Sequence, residues 1–337
     1  MGLSPSRLSP VSSAFAAAFR AAAGPDGVLA FDRFMALALY HPKLGYYRRN
    51  RERVGYGAGT DFYTASTSGP VFGELAVAAA VALLAGRDPS RFTWVEIGAE
   101  TDAGILAGVA HPFATARTLR VGEPISLEGP CIVVSNELFD AQPFRRLVRR
   151  ADGWRETGVR LEADTLTEVD LGPVADPGRW PNDVPEGYRI DAPRAAAQLA
   201  ATIAAQPWTG LFIAFDYGKS WAELAGECPE GTARAYYRHT QSNDLLAQPG
   251  EQDLTCHICW DWLAAELAAR GFATPRTEAQ EAFFVHHAAA YLESALRADA
   301  TRLTERKRSL MQLLHPAHLG RKFQVLHARR ENIQVSP

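Results

Sequence analysis

Lysine is scarce in this chain: four residues (Lys43, Lys219, Lys307, Lys322), with arginine supplying the rest of 35 basic side chains. That ratio reads as codon usage rather than function. Against 38 acidic residues the formal net charge is -3, which leaves no electrostatic footprint for a nucleic acid. Cysteine is also sparse, with Cys131, Cys228, Cys256 and Cys259 spread through 337 residues. So few thiols exclude a disulfide scaffold and point to a reducing compartment. Apolar runs stop well short of the roughly eighteen residues that span a bilayer, so no membrane span is expected. Internal repeats, low-complexity tails, a Walker loop and a nucleophile elbow are all missing.

What is present is ordinary globular material, 47% hydrophobic and 22% charged, enough for one large or two ordinary domains. Ser4 to Ala23 bears serine, alanine and arginine and has no acid before Asp26, the composition of an organelle transit peptide. Phe15, Phe19 and Ala22 or Ala23 also share one helical face, and a first helix from about Val11 is the favoured reading. The expected location is therefore the cytoplasm, or an organelle matrix if that segment is a transit peptide.

The chain is organised around Pro130 to Phe144, PCIVVSNELFDAQPF. Cys131 to Val134 is a continuous apolar, β-branched run that stops abruptly at Ser135, Asn136 and Glu137. Such runs belong to a sheet covered on both faces, where ligands sit just outside the carboxyl ends of the strands. Asn136, Glu137 and Asp140 are therefore placed where chemistry usually occurs, although Asn136 and Asp140 would equally serve as helix caps. Phe92 to Ile97 is a second such strand, ending at Gly98. Leu211 to Phe215 is a third, ending in Asp216.

Helices are expected at Phe31 to Tyr40, Gly73 to Ala85, Ala192 to Ala205, Trp260 to Arg270, Thr277 to Phe284 and Ala288 to Leu314. Phe144 to Leu171 alternates apolar and polar residues with turns at Asp152-Gly153 and Ala163-Asp164, an antiparallel meander. A closing strand is read over Lys322 to His327. Between Leu106 and Cys131 the chain is compressed, with room for a short strand at Thr118 to Val121.

Glu96-Ile97-Gly98-Ala99-Glu100-Thr101-Asp102 sits where a glycine-rich cofactor loop belongs, yet acids stand where further glycines would be expected. Cys256-His257-Ile258-Cys259 is a poor metal site, since no second pair completes a tetrahedron. His286, His287, His315 and His318 lack carboxylate spacing and read as surface or satisfied core histidines. No metal is expected.

Several stretches together resemble one family: FMALALYHPKLGYY from Phe34, DFYTAS from Asp61, GPVFGELA from Gly69 and SNELFDAQPFRRLV from Ser135. DYG from Asp216, GTARAYYRH from Gly231, PGEQDLTCH from Pro249 and LLHPAHLGRKFQVL from Leu313 follow in order. The chain resembles the MidA-like class I S-adenosylmethionine-dependent methyltransferases, the group that includes the mitochondrial complex I assembly methyltransferase and its bacterial relatives. The resemblance implies an α/β, Rossmann-like sheet with helices on both faces. Residues 1–90 would form a helical arm over the cofactor side, and residues 91–337 a methyltransferase domain with insertions at 144–190 and 219–255.

It further implies S-adenosylmethionine as cofactor and methyl transfer to a protein partner, by similarity to arginine. Glu137, Asp140 and Asp216 would orient the guanidinium, with His257 as proton acceptor. Thr64, Glu96, Gly98 and Asn136 would hold the cofactor. Two departures are visible. Glu100 and Asp102 would crowd and repel the carboxylate of the cofactor's methionine end. Thr118 to Val121 reads as the family's third strand, leaving the second strand, its helix and its ribose-binding acid missing, with Glu123 a possible substitute. Two readings follow: an active methyltransferase with an altered cofactor loop, or a catalytically inactive relative acting as a binding or assembly factor.

Overall fold

The computed structural model describes residues 11–49, 53, 60–61, 69–176, 180–299 and 302–331. Its centre is a six-stranded sheet, labelled here in chain order: β1 (Thr93–Ile97), β2 (Thr115–Leu119), β3 (Gly129–Asn136), β4 (Trp208–Asp216), β5 (Ala273–Ala279) and β6 (Gln324–Arg330). The spatial order is β5-β6-β4-β3-β1-β2. The four strands from β4 to β2 run parallel, and β6 and β5 join antiparallel.

Alternation along each strand divides the core in two. Trp94, Ile132, Val134, Ile213 and Phe215 face the helices Pro70–Leu83 and Gln280–His287. Val95, Ile97, Val133, Phe212 and Ala214 face Arg194–Ala204 and Trp260–Ala268. One glycine is dictated by this packing. At Gly210 (φ +122°) an added Cβ would lie 2.1 Å from the Cys131 carbonyl oxygen, so β4 and β3 run closer there than any side chain permits.

Among the described residues the sheet lacks one strand of the family pattern, as expected, but register corrects which one. The segment read as a third strand pairs directly with β1, Glu96 opposite Thr118 and Ile97 opposite Leu119. In doubly wound sheets the neighbours of the first strand are the second and fourth. The second place is therefore filled, and the sheet ends where a third strand would add an outer edge. Only nine residues join β2 to β3. Fully extended they reach about 30 Å, enough to cross under β1 but not to build a helix and a further strand.

The N-terminal helices Ser13–Ala23 and Phe31–Tyr40 pack on a second, antiparallel sheet made mainly by the expected meander. Its strands Arg145–Arg150, Gly153–Glu162 and Thr165–Pro173 turn at the predicted places, and Val28–Ala30 joins the edge of Gly153–Glu162. Near the C-terminus two expectations change. Thr277 to Ala279 extends β5 before a helix begins at Gln280, and the single long helix is two, Ala289–Ala298 and Glu305–Leu314. Among the described residues no helix is long and apolar enough to cross a membrane.

Candidate functional site

A cleft with about 830 Å³ of empty space opens at the carboxyl ends of β1, β2 and β3. Its floor is Gly98, which turns out of β1 at φ +83° and donates its N–H to the Leu119 carbonyl of β2 at 2.8 Å. A Cβ there would come within 2.8 Å of Leu138 Cδ1. The glycine at this position is thus required both by backbone conformation and by the wall opposite. Tyr40, Tyr47 and Arg53 of the N-terminal arm line the same cleft.

The two acids of the loop take different directions. The Asp102 side chain is 91% exposed and pairs with Arg120 at 3.0 Å, outside the cleft. Glu100 does line the cleft, but Arg53 Nη2 sits 2.8 Å from its carboxylate and is itself only 6% exposed. The expected repulsion is therefore neutralised at one acid and removed by orientation at the other. Phe113 stacks on Trp94 at 5.3 Å in the core of the opposite sheet face, leaving the cleft free of it.

Glu123 lies in the tight turn after β2, where its carboxylate accepts the Arg120 N–H at 2.7 Å and lines the cleft. It stands at the second-strand end, the place where an acid would meet ribose hydroxyls. Glu96 does something else. It is buried under the loop, accepts the Ile105 N–H at 2.7 Å and closes on Gly104, so it braces the turn and does not line the cleft. Burial pushes its carboxyl up to about 7. Thr64 lies outside the described residues.

Deeper in, four carboxyl groups converge. Glu137 follows β3 directly at φ +52°, a strained backbone for a non-glycine residue, with its N–H held by the Phe215 carbonyl at 2.9 Å. Asn136 Nδ2 donates to its carboxylate at 3.1 Å. Asp216, wholly buried, accepts the N–H groups of Phe139 and Tyr217, each at 2.8 Å, tying the end of β4 to the loop after β3. Asp140 keeps one buried oxygen without a hydrogen-bond partner, as does Asn136.

The fourth acid, Asp253, went unnoticed in the sequence although it lies inside PGEQDLTCH. It accepts the Tyr47 hydroxyl and the Leu254 N–H, both at 2.9 Å. Its only sequence signal was membership of that unusual segment; Tyr40, Tyr47 and Arg53 were equally silent.

Burial is the first cause of the electrostatics here, and mutual repulsion adds to it. The Glu137 and Asp140 carboxyls are held well above the usual carboxylate range, by burial and then by Asp216. Burial pushes Asp216 and Asp253 to about 7. Among the described residues none of the four is in a salt bridge; Arg53 draws weakly on Asp253. Tyr40, Tyr47, Tyr217 and Tyr236 stand close enough to feel these charges.

His257 is placed apart. It lines a second cleft with Lys219, Thr232, Arg234 and Tyr236, and burial lowers its pKa to about 4. Tyr236 is the wall between that cleft and the acids.

The cofactor implied by the fold can be tested against these residues. Gly98 provides a cradle that a Cβ would fill, the Arg53–Glu100 pair leaves Arg53 Nε as a buried donor without a hydrogen-bond partner, and Glu123 supplies an acid toward hydroxyls. The residues fit. The alternative of a binding factor without catalysis rests on the two loop acids and on a missing ribose-binding acid; Asp102 points away, Glu100 is paired with Arg53, and Glu123 lines the cleft.

Residues 117–276 match the family described as "Putative S-adenosyl-L-methionine-dependent methyltransferase". The chain is 25% identical over 304 residues to the mitochondrial protein arginine methyltransferase NDUFAF7 of Danio rerio, covering 70% of this chain and 68% of the relative. The Mus musculus protein of the same name is 24% identical over 208 residues, 58% of this chain and 45% of its own. Among solved structures, a methyl transferase candidate from Burkholderia thailandensis bound to S-adenosyl-homocysteine superposes with a TM-score of 0.81. It is 26% identical, covering 94% of this chain and 92% of that one. A native structure of an uncharacterised protein from the same organism has a TM-score of 0.76 at 24% identity, covering 94% and 91%, and shares the fold. Its motifs, its cleft and these relatives agree: the chain is similar to the S-adenosylmethionine-dependent methyltransferases.

Proposed function

We propose that the chain methylates an arginine side chain of a protein, using S-adenosylmethionine held in the cleft above Gly98. The observation that carries this reading is the group of four carboxyls, Asp140, Asp216 and Asp253 buried and Glu137 half-buried at the cleft, with no salt-bridge partner among the described residues. A lysine ammonium would satisfy one or two of them. A guanidinium, planar and with five N–H donors, matches several at once and stays charged at every accessible pH. The arginine methyltransferase relatives fit the same reading.

When bound, the cofactor supplies a methyl group on a sulfonium. The chain's task is to turn one guanidinium nitrogen toward it. Carboxylates on the remaining N–H groups fix the plane and draw positive charge away from the attacking nitrogen. Glu137 lies at the boundary of cleft and acid group, strained in place by its backbone. It is the residue assigned to take the proton that the nitrogen releases once the new bond forms. The positive charge of the bound guanidinium favours the ionised form of this carboxyl, which can then accept that proton. His257, in the neighbouring cleft with Lys219 and Arg234, is better placed to meet the rest of the substrate than the reacting nitrogen.

The test is to incubate the protein with radiolabelled S-adenosylmethionine and clarified cell extract, then hydrolyse the labelled protein and separate its amino acids. Label recovered as methylarginine supports the reading. Label in lysine or histidine, or none above a Glu137→Gln control, overturns it.

A pH dependence follows from the same acids. A cation is held only by ionised carboxyls, so methyl transfer should rise as pH climbs through about 7, where Asp216 and Asp253 ionise. Stability of the free protein should move oppositely. Their folded pKa values lie above the unfolded 3.8, so their contribution is full below about 4 and lost as pH rises through 7. Melting curves from pH 5 to 8 should show a fall that is shallower in Asp253→Asn, which keeps the acceptor oxygen. Equal slopes in the two proteins would refute the assignment.

A further inference from the structure

Away from the cleft, Glu278, His286, His287 and His327 come together at the edge of the central sheet, and the methyltransferase reading uses none of them. Glu278 sits near the end of β5, His327 on the adjacent β6, and His286 and His287 in the last turn of helix Gln280–His287. Spacing along the helix gives the histidine pair no carboxylate partner. The carboxylate arrives from the strand before that helix, and the third imidazole from 49 residues further on.

We propose that Glu278, His287 and His327 form a binding site for a divalent transition metal of the zinc class. Nε2 of His287 and Nε2 of His327 lie 3.1 Å and 3.0 Å from the same oxygen, Oε1 of Glu278. The three ligand atoms all fall within 4.8 Å of one another. Zinc bonds of about 2.0–2.2 Å in tetrahedral geometry set neighbouring ligands roughly 3.3 Å apart. Two of the three separations already stand near that spacing and the third lies within 4.8 Å, so side-chain adjustment alone can admit an ion.

Ligand chemistry agrees with the geometry. Two imidazoles and one carboxylate suit zinc, nickel or copper better than magnesium or calcium, which favour oxygen alone. His286 Nδ1 lies 2.6 Å from the other oxygen, Oε2, and orients the carboxylate from outside. Arg276 is the opposing charge nearby, acting on His327. Three ligands on two paired strands and one helix are rigidly placed, and their side chains are 9% to 23% exposed, reachable yet shielded. Bound metal would pin the end of the helix to β5 and β6.

The alternative is a hydrogen-bonded group in which both imidazoles donate Nε2–H to one carboxylate oxygen. The two are separated by titrating zinc into the tag-free, chelator-stripped full chain, by calorimetry and by competition with a chromogenic chelator. Expected are one equivalent bound at micromolar affinity or tighter, and a higher melting temperature with zinc. His287→Ala and His327→Ala should each weaken binding at least thirty-fold, while Cys228→Ser leaves it unchanged. Cobalt in place of zinc should give the visible absorption of a tetrahedral site, lost in both histidine variants. If a histidine variant fails to fold, Glu278→Gln serves in its place. No saturable binding below about 100 µM, or binding untouched by these substitutions, would overturn the proposal.

Discussion

Glu137→Gln is expected to lower kcat/KM for arginine methylation by about a thousand-fold, while S-adenosylhomocysteine affinity stays within about three-fold. The substitution preserves shape and the hydrogen bond from Asn136 Nδ2 to an oxygen. It removes the negative charge that faces the guanidinium and the group that takes its proton. Loss of a charge-assisted contact together with a proton acceptor is worth about 4 kcal/mol in the transition state, which is that thousand-fold.

Stability should not follow activity. The Glu137 carboxyl is raised because burial and Asp216 disfavour its charge, so a neutral amide relieves a cost that the native protein carries. The melting temperature of Glu137→Gln should equal or exceed that of the parent at pH 8. Steady-state methylation, calorimetry with S-adenosylhomocysteine and thermal melts together read this signature. Activity within ten-fold of the parent would remove Glu137 from the reacting centre.

The second large effect is at the cleft floor. Gly98→Val should reduce S-adenosylhomocysteine affinity by a hundred-fold or more. Valine at φ +83° is strained by about 1–3 kcal/mol whatever space surrounds it, and its Cβ would start 2.8 Å from Leu138 Cδ1. The loop must then shift, or Leu138 must move into the cleft, and either outcome narrows the cofactor's space. Gly98→Ala should give an intermediate loss, since the end of the Leu138 side chain can yield to one methyl group. Calorimetry on the three proteins checks the order. A valine variant that binds within three-fold of the parent would mean that the cofactor lies elsewhere.

Short-range pattern carried much of the fold. Continuous apolar runs located β1, β3 and β4, and proline after His41 ended the helix Phe31–Tyr40 where the chain stops being helical. The turns at Asp152-Gly153 and Ala163-Asp164 fixed the meander. The strand-end acids Glu137, Asp140 and Asp216 were legible because polar residues that interrupt a buried strand need a reason. The segment over Thr277 to Ala279 was misread as helix because a short edge strand rich in polar residues has no apolar period to betray it.

By itself the sequence determined the family resemblance, the order of the main elements and which strand ends carry acids, since these rest on local pattern and on long unusual segments. Tertiary structure decided the rest. Register placed Thr115–Leu119 beside β1, because strand pairing is a contact between distant residues and leaves no trace in either strand alone. The direction of two side chains rescued the cofactor loop, Asp102 turning to solvent and Glu100 meeting an arginine 47 residues earlier. Asp253 joined the acids, and Glu278 met His327, across separations that no spacing rule covers. Charge, unlike hydrophobic period, acts through space, so its sites are made by folding and are read only once the chain has closed.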